Sequence, residues 1–62
     1  MPMTSKEMIK LLESNGFKLV RANGSHHLYE NKETNKRTVV PVHCRDLKKG
    51  IEQKILKDAG LK

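Results

Sequence analysis

Phe17-Lys18-Leu19-Val20-Arg21-Ala22-Asn23-Gly24-Ser25-His26-His27-Leu28-Tyr29-Glu30 is the stretch whose reading decides the fold. Phe17 to Ala22 alternates as a strand does, apart from the adjacent apolar pair Leu19-Val20. Asn23-Gly24 follows, a pair that tolerates positive φ and is among the strongest short-range hairpin signals. Ser25 to Glu30 then reads as the returning strand. Two registers fit. A strict two-residue turn pairs Arg21 with His26 and gathers Phe17, Leu19, Arg21, His26, Leu28 and Glu30 on one face. A three-residue loop with Gly24 in a left-handed bulge gathers Phe17, Leu19, Arg21, His27 and Tyr29, and leaves Lys18, Val20, His26 and Leu28 on the other. A slip of one residue exchanges the faces, so the two exclude each other. The second is preferred, because it keeps the Glu30 carboxylate away from the core and puts both aromatics into it. His26 is then expected on an open face.

Working outward, Thr4-Ser5-Lys6-Glu7 has the form of a capping box. Met8, Ile9, Leu11 and Leu12 form an apolar stripe at helical spacing, with Lys6, Lys10 and Glu13 off it. Asn15-Gly16 supplies a left-handed stop, after which Phe17 can fold back on the last turn. The first helix is expected over residues 5–15. Downstream, Asn31 to Lys36 is a polar turn, and Arg37-Thr38-Val39-Val40-Pro41-Val42 is a β-branched third strand. Pro41 cannot donate to a ladder, which suits an edge or a strand end. A polar connector from His43 to Gly50 leads to a second helix whose buried side is expected to be Ile51, Ile55, Leu56 and Ala59, with Gly60 ending it. The predicted fold class is α+β, in the order α-β-β-β-α. A three-stranded antiparallel sheet carries both helices on one face and leaves the other open.

Sixty-two residues allow one domain, residues 1–62, and a chain this short buries only about 60% of the surface its unfolded form exposes. With 35% hydrophobic residues, one Phe, one Tyr and no Trp, the core is thin and a deep cofactor pocket is excluded. The net charge is +6. It is unevenly placed: residues 1–31 carry four basic and three acidic side chains, residues 32–62 nine and four. A polyanion is the expected partner, nucleic acid ahead of membrane. Cys44, the one cysteine, cannot form an internal disulfide, which fits a reducing, cytoplasmic setting. The opening residues lack a signal-like apolar run, and nothing approaches the ~20 apolar residues of a membrane span.

Three histidines and a cysteine raise zinc first. His26 and His27 are adjacent on a strand and point to opposite faces, and His43-Cys44 lacks the paired spacing of a zinc site. No metal or other cofactor is expected. Nothing marks the Cys44 thiol as activated. A histidine on an exposed basic sheet suits RNA cleavage better. RNA brings its own nucleophile, the 2′-hydroxyl, so the protein need only move protons and steady charge on phosphorus. A histidine can do the first and Arg or Lys the second. His26 fits the first role, with Lys18, Arg21, Arg45, Lys48 and Lys49 available for the second. Ser25 can orient the His26 ring or a phosphate, and Tyr29 is expected in the core rather than as a stacking platform.

Gly24-Ser25-His26-His27-Leu28-Tyr29 resembles the G-S-H-x-x-[F/Y] signature of HicA-type toxins. Gly16-Phe17, the segment Val40-Pro41-Val42-His43, and the closing Leu47-Lys48-Lys49-Gly50 with Ile55 to Leu61 are similar to that family in the same order. The resemblance covers about residues 5–61, with Phe17 where Trp is common and Ile51 where Thr is frequent. It implies a double-stranded-RNA-binding-domain-like fold, endoribonuclease action on mRNA with His26 as the catalytic histidine, and neutralisation by a HicB-type antitoxin that covers the active site. The family's P-x-H histidine falls on His43. Two other readings stand beside it: a non-catalytic module that binds double-stranded RNA by shape, and a protein-interaction domain that uses its open face.

Overall fold

A computed structural model of the chain describes residues 3–42 and 46–62. Its elements run α1 (Ser5–Ser14), β1 (Lys18–Asn23), β2 (His26–Asn31), β3 (Lys36–Pro41) and α2 (Lys49–Asp58), so the expected order α-β-β-β-α holds. The strands begin or end one residue from their expected limits, and α2 begins at Lys49 rather than after Gly50.

α1 starts where the sequence places its cap. The Glu7 N–H donates to Thr4 Oγ1 at 3.1 Å while Glu7 Oε1 accepts from the Thr4 N–H at 2.9 Å, which satisfies two of the helix's orphan donors. It stops at Asn15, followed by Gly16 at φ +89°, and the Phe17 N–H turns back to the Leu12 carbonyl at 3.0 Å. Asn31, at the end of β2, is buried against this stop. Its side-chain amide donates to the Asn15 carbonyl at 2.9 Å, and its Oδ1 accepts from the Glu33 N–H at 2.9 Å. A Cβ at Gly16 would lie 3.1 Å from that amide nitrogen, so glycine is required there twice over.

The sheet has the order β1-β2-β3 with both pairs antiparallel. Its first hairpin follows neither expected register throughout. The turn residues are Gly24 and Ser25, closed by Asn23 opposite His26, with positive φ at Gly24 (+62°) and not at Ser25. That is the φ pattern of a type II′ turn, in which only the first central residue needs the freedom of glycine. Farther from the turn, the register shifts between Leu19 and Arg21, and Val20 is the extra residue of a β-bulge. Leu19 therefore faces Tyr29, as in the preferred register, whereas Ala22 faces His27 and Arg21 faces Leu28. The bulge corrects the expected position of Arg21: it leaves the face of Tyr29 and joins that of Leu28. His26 lies on the open face, as the preferred register has it.

Both helices pack on β3, and the core is a single cluster of Met8, Leu12, Phe17, Tyr29, Val40, Leu47, Ile55 and Ala59. Tyr29 and Val40 belong to one face of the sheet, so α1 and α2 cover the same side. β1 is exposed along its whole length. One expectation for the second helix is corrected, and the connector adds a core residue that the helical pattern did not include. Leu47, from the connector, is 1% exposed and is bonded through its N–H to the Met3 carbonyl at 2.7 Å. Ile51 is 37% exposed instead of buried. Leu47 supplies the core contact just ahead of α2, and the first helical turn stands clear of the core.

Candidate nucleic-acid interface

On the uncovered face, three rungs of residues cross the sheet: Asn23–His26–Pro41, then Arg21–Leu28–Val39, then Lys18–Glu30–Arg37. Opposed residues of an antiparallel sheet share a face, so His26, Arg21, Lys18 and Arg37 stand together with Glu30. Three cations against one carboxylate make this face basic. The bulge at Val20 puts Arg21 there, and the period of two along β3 puts Arg37 there while Thr38 and Val40 point into the core.

His26 is the first residue of β2, immediately after the Gly24-Ser25 turn. The turn is held at its far side by the Val42 N–H, which donates to the Ser25 carbonyl at 2.7 Å and extends the β2–β3 ladder past its last pair. Gly24 has open space around the position of a Cβ, so glycine is present there for its φ and not for close approach. The His26 side chain is exposed, whereas its neighbour His27 is half-buried on the covered side.

A groove of about 600 Å³ follows the β3 edge of the sheet: His26, Leu28, Val39 and Arg37 line it from the open face, and beyond the edge it is closed by Thr38 and by α2, through Ile51, Lys54, Ile55 and Asp58. Lys54 Nζ lies 3.4 Å from Asp58 Oδ2 in an exposed pair of the kind that contributes little to stability. The Arg37 rung is four residues along β3 from the His26 rung, about 13 Å at the rise of a strand. The groove thus offers an imidazole at one end, cations at the other and an aliphatic span between them. Such an arrangement can exchange a proton with a bound ligand and hold its negative charge.

Of the residues the sequence reading nominated, His26, Lys18 and Arg21 share the open face, and Ser25 is half-buried in the turn beside it. Lys48, the N-cap of α2, and Lys49, its first residue, are exposed but do not line the groove. His43, Cys44 and Arg45 lie outside the described residues. Tyr29 is buried on the covered side, and its phenol titrates above the ordinary value because burial disfavours the phenolate and the Glu13 carboxylate adds repulsion. It is a core residue, as expected. Arg37 and Lys54 were missed. Strict alternation along the third strand would have found Arg37, and the misplacement of Ile51 in the core hid Lys54 three residues on.

Among the described residues, no group of three or more His, Cys, Asp and Glu side chains is placed to hold a metal ion, and no helix is long and apolar enough to cross a membrane. Compared with known proteins, residues 5–61 match the model of a family described as HicA toxin of bacterial toxin-antitoxin. No curated protein matches the chain.

Proposed function

The chain belongs to the HicA toxin family of bacterial toxin–antitoxin systems, and from that premise we propose that it is an endoribonuclease that cleaves mRNA with His26 as general acid or base. Membership supports a toxin role and implies an antitoxin partner. The RNA reading rests above all on one observation: an exposed histidine at the start of a strand, on a basic sheet face, in a groove with Arg37 and Lys54.

The chemistry needs no metal, because the substrate supplies the nucleophile. The 2′-oxygen attacks the adjacent phosphorus as its proton passes to a base. The bond from phosphorus to the 5′-oxygen breaks, and that oxygen takes a proton, leaving a 2′,3′-cyclic phosphate and a 5′-hydroxyl. His26 performs one of the two proton transfers, and a second group or water performs the other. Nearby cations steady the extra negative charge that builds on the phosphoryl oxygens. An antitoxin of the HicB type that covers the open face would hide His26 and the cations in one step. Action on mRNA and a single cysteine both suit a cytoplasmic protein.

Expression of the wild type and His26→Ala under tight induction tests the reading. The wild type is expected to arrest growth and fragment mRNA. The variant should do neither while remaining folded, as its far-UV circular dichroism would show. Equal toxicity from the two proteins would remove His26 from the mechanism. A harmless wild type that leaves RNA intact would remove the nuclease reading.

A further inference from the structure

The aliphatic span of the groove has no part in the proton transfers or in charge stabilisation. Val39 is 46% exposed and Ile51 37%, and both line the groove with the half-buried Leu28. Ile51 stands out within its own helix. Ile55, one turn on, also borders the groove but is buried in the core, whereas Ile51 lines it from an exposed position. The surrounding charged side chains are Arg37 with Glu30 opposite it, Lys54 with its partner Asp58, and Arg21 on the rung of Leu28 and Val39.

We infer that Leu28, Val39 and Ile51 form the seat of an unpaired nucleobase beside the cleaved bond, so that the substrate of this site is single-stranded RNA; the inference rests on the RNA reading above. The rung of Leu28 and Val39 lies midway between the rung of His26 and that of Arg37. A base resting on it places the phosphates on either side of its nucleotide near His26 and near Arg37. A groove of about 600 Å³ falls within the range of small-ligand clefts, roughly 300–1,000 Å³. Duplex RNA does not fit this chemistry, because it turns phosphates and 2′-hydroxyls outward and keeps its base faces stacked inside. A single strand offers base faces and phosphates together, which matches an apolar floor rimmed with cations. Removing apolar surface from water is the driving force for the base, and charge attraction that for the backbone.

The test measures binding, so that it is separate from cleavage. In a His26→Ala background, Ile51→Ser and Val39→Thr are each titrated with a labelled single-stranded RNA oligonucleotide and with its duplex. Val39→Thr keeps shape and strand preference and removes apolar character alone; Ile51 is exposed, and unchanged melting temperatures confirm that both variants fold. The expected result is single-strand binding weakened roughly five- to tenfold by each substitution, with duplex binding changed by less than about twofold. Unchanged single-strand affinity in both variants would overturn the inference. Equal losses for the two RNA forms, or a parent that binds neither, would overturn it as well. Cleavage of the same oligonucleotide by the wild type scores the nuclease reading independently.

Discussion

Arg21 stands directly across from Leu28, and Val20 is the cause. With no bulge, Arg21 would face His27 and be turned toward the covered side of the sheet. The extra residue puts the guanidinium on the face of His26, one rung away. Arg21→Gln should therefore weaken single-stranded RNA binding at low salt. The slope of log affinity against log salt should fall by about 0.7, the value of one phosphate contact. Melting temperature should not change, since Arg21 is exposed. Titrations at several salt concentrations check this, and an unaltered slope would take Arg21 out of the interface.

The contact between Gly16 and Asn31 makes a prediction about stability alone. Gly16→Ala forces an L side chain into φ +89° and presses its Cβ on the Asn31 amide, which must stay where it is to bond the Asn15 carbonyl. A loss of about 1–3 kcal/mol is expected, read as a lower urea midpoint at unchanged slope. RNA binding at a temperature where the variant is folded should equal that of the wild type, because Gly16 and Asn31 lie away from the groove.

Tyr29 sets an alkaline limit. Its phenol titrates higher in the folded protein than in the unfolded chain, because burial and Glu13 both oppose the phenolate. Above the unfolded value of about 10, the unfolded state loses its proton first and binds fewer protons than the native state, so stability falls as pH rises. The contribution is complete below that pH and is lost up to the higher folded value. Denaturation curves from pH 8 to 11 should show a steeper decline for the wild type than for Tyr29→Phe. Parallel declines would show that this phenol is not the group responsible.

Much of this was legible in the sequence, for reasons that differ by element. The capping box of α1, the Asn15-Gly16 stop and the helical stripe of Met8 and Leu12 are local signals, and local geometry realised them. The position of His26 on the open face was legible because it depends on β2 alone once Tyr29 is given to the core. Arg21 was not, because a bulge depends on how two strands twist together; the adjacent apolar pair Leu19-Val20 breaks the alternation there but does not say that the register shifts. Ile51 was placed in the core and Leu47 passed over for a similar reason. Periodicity says which residues share a helical face, but not where along its length the helix leaves the core. The groove along α2, with Arg37 and Lys54, followed from that same tertiary fact and was invisible without it.

The bulge at Val20 has another effect, on the outer margin of the sheet. β1 is an edge strand that no helix covers, and it exposes Leu19 and Val20 at 49% and 56%. A long flat strand of that kind would template pairing with a second molecule. A bulge bends the strand and tightens its twist, so an incoming strand finds the regular ladder interrupted after about two residues from the Lys18 end. Lys18 and Arg21 on the same strand add charge repulsion against another copy. The irregularity that aims a cation at the open face thus also guards a small, thin-cored protein against self-aggregation.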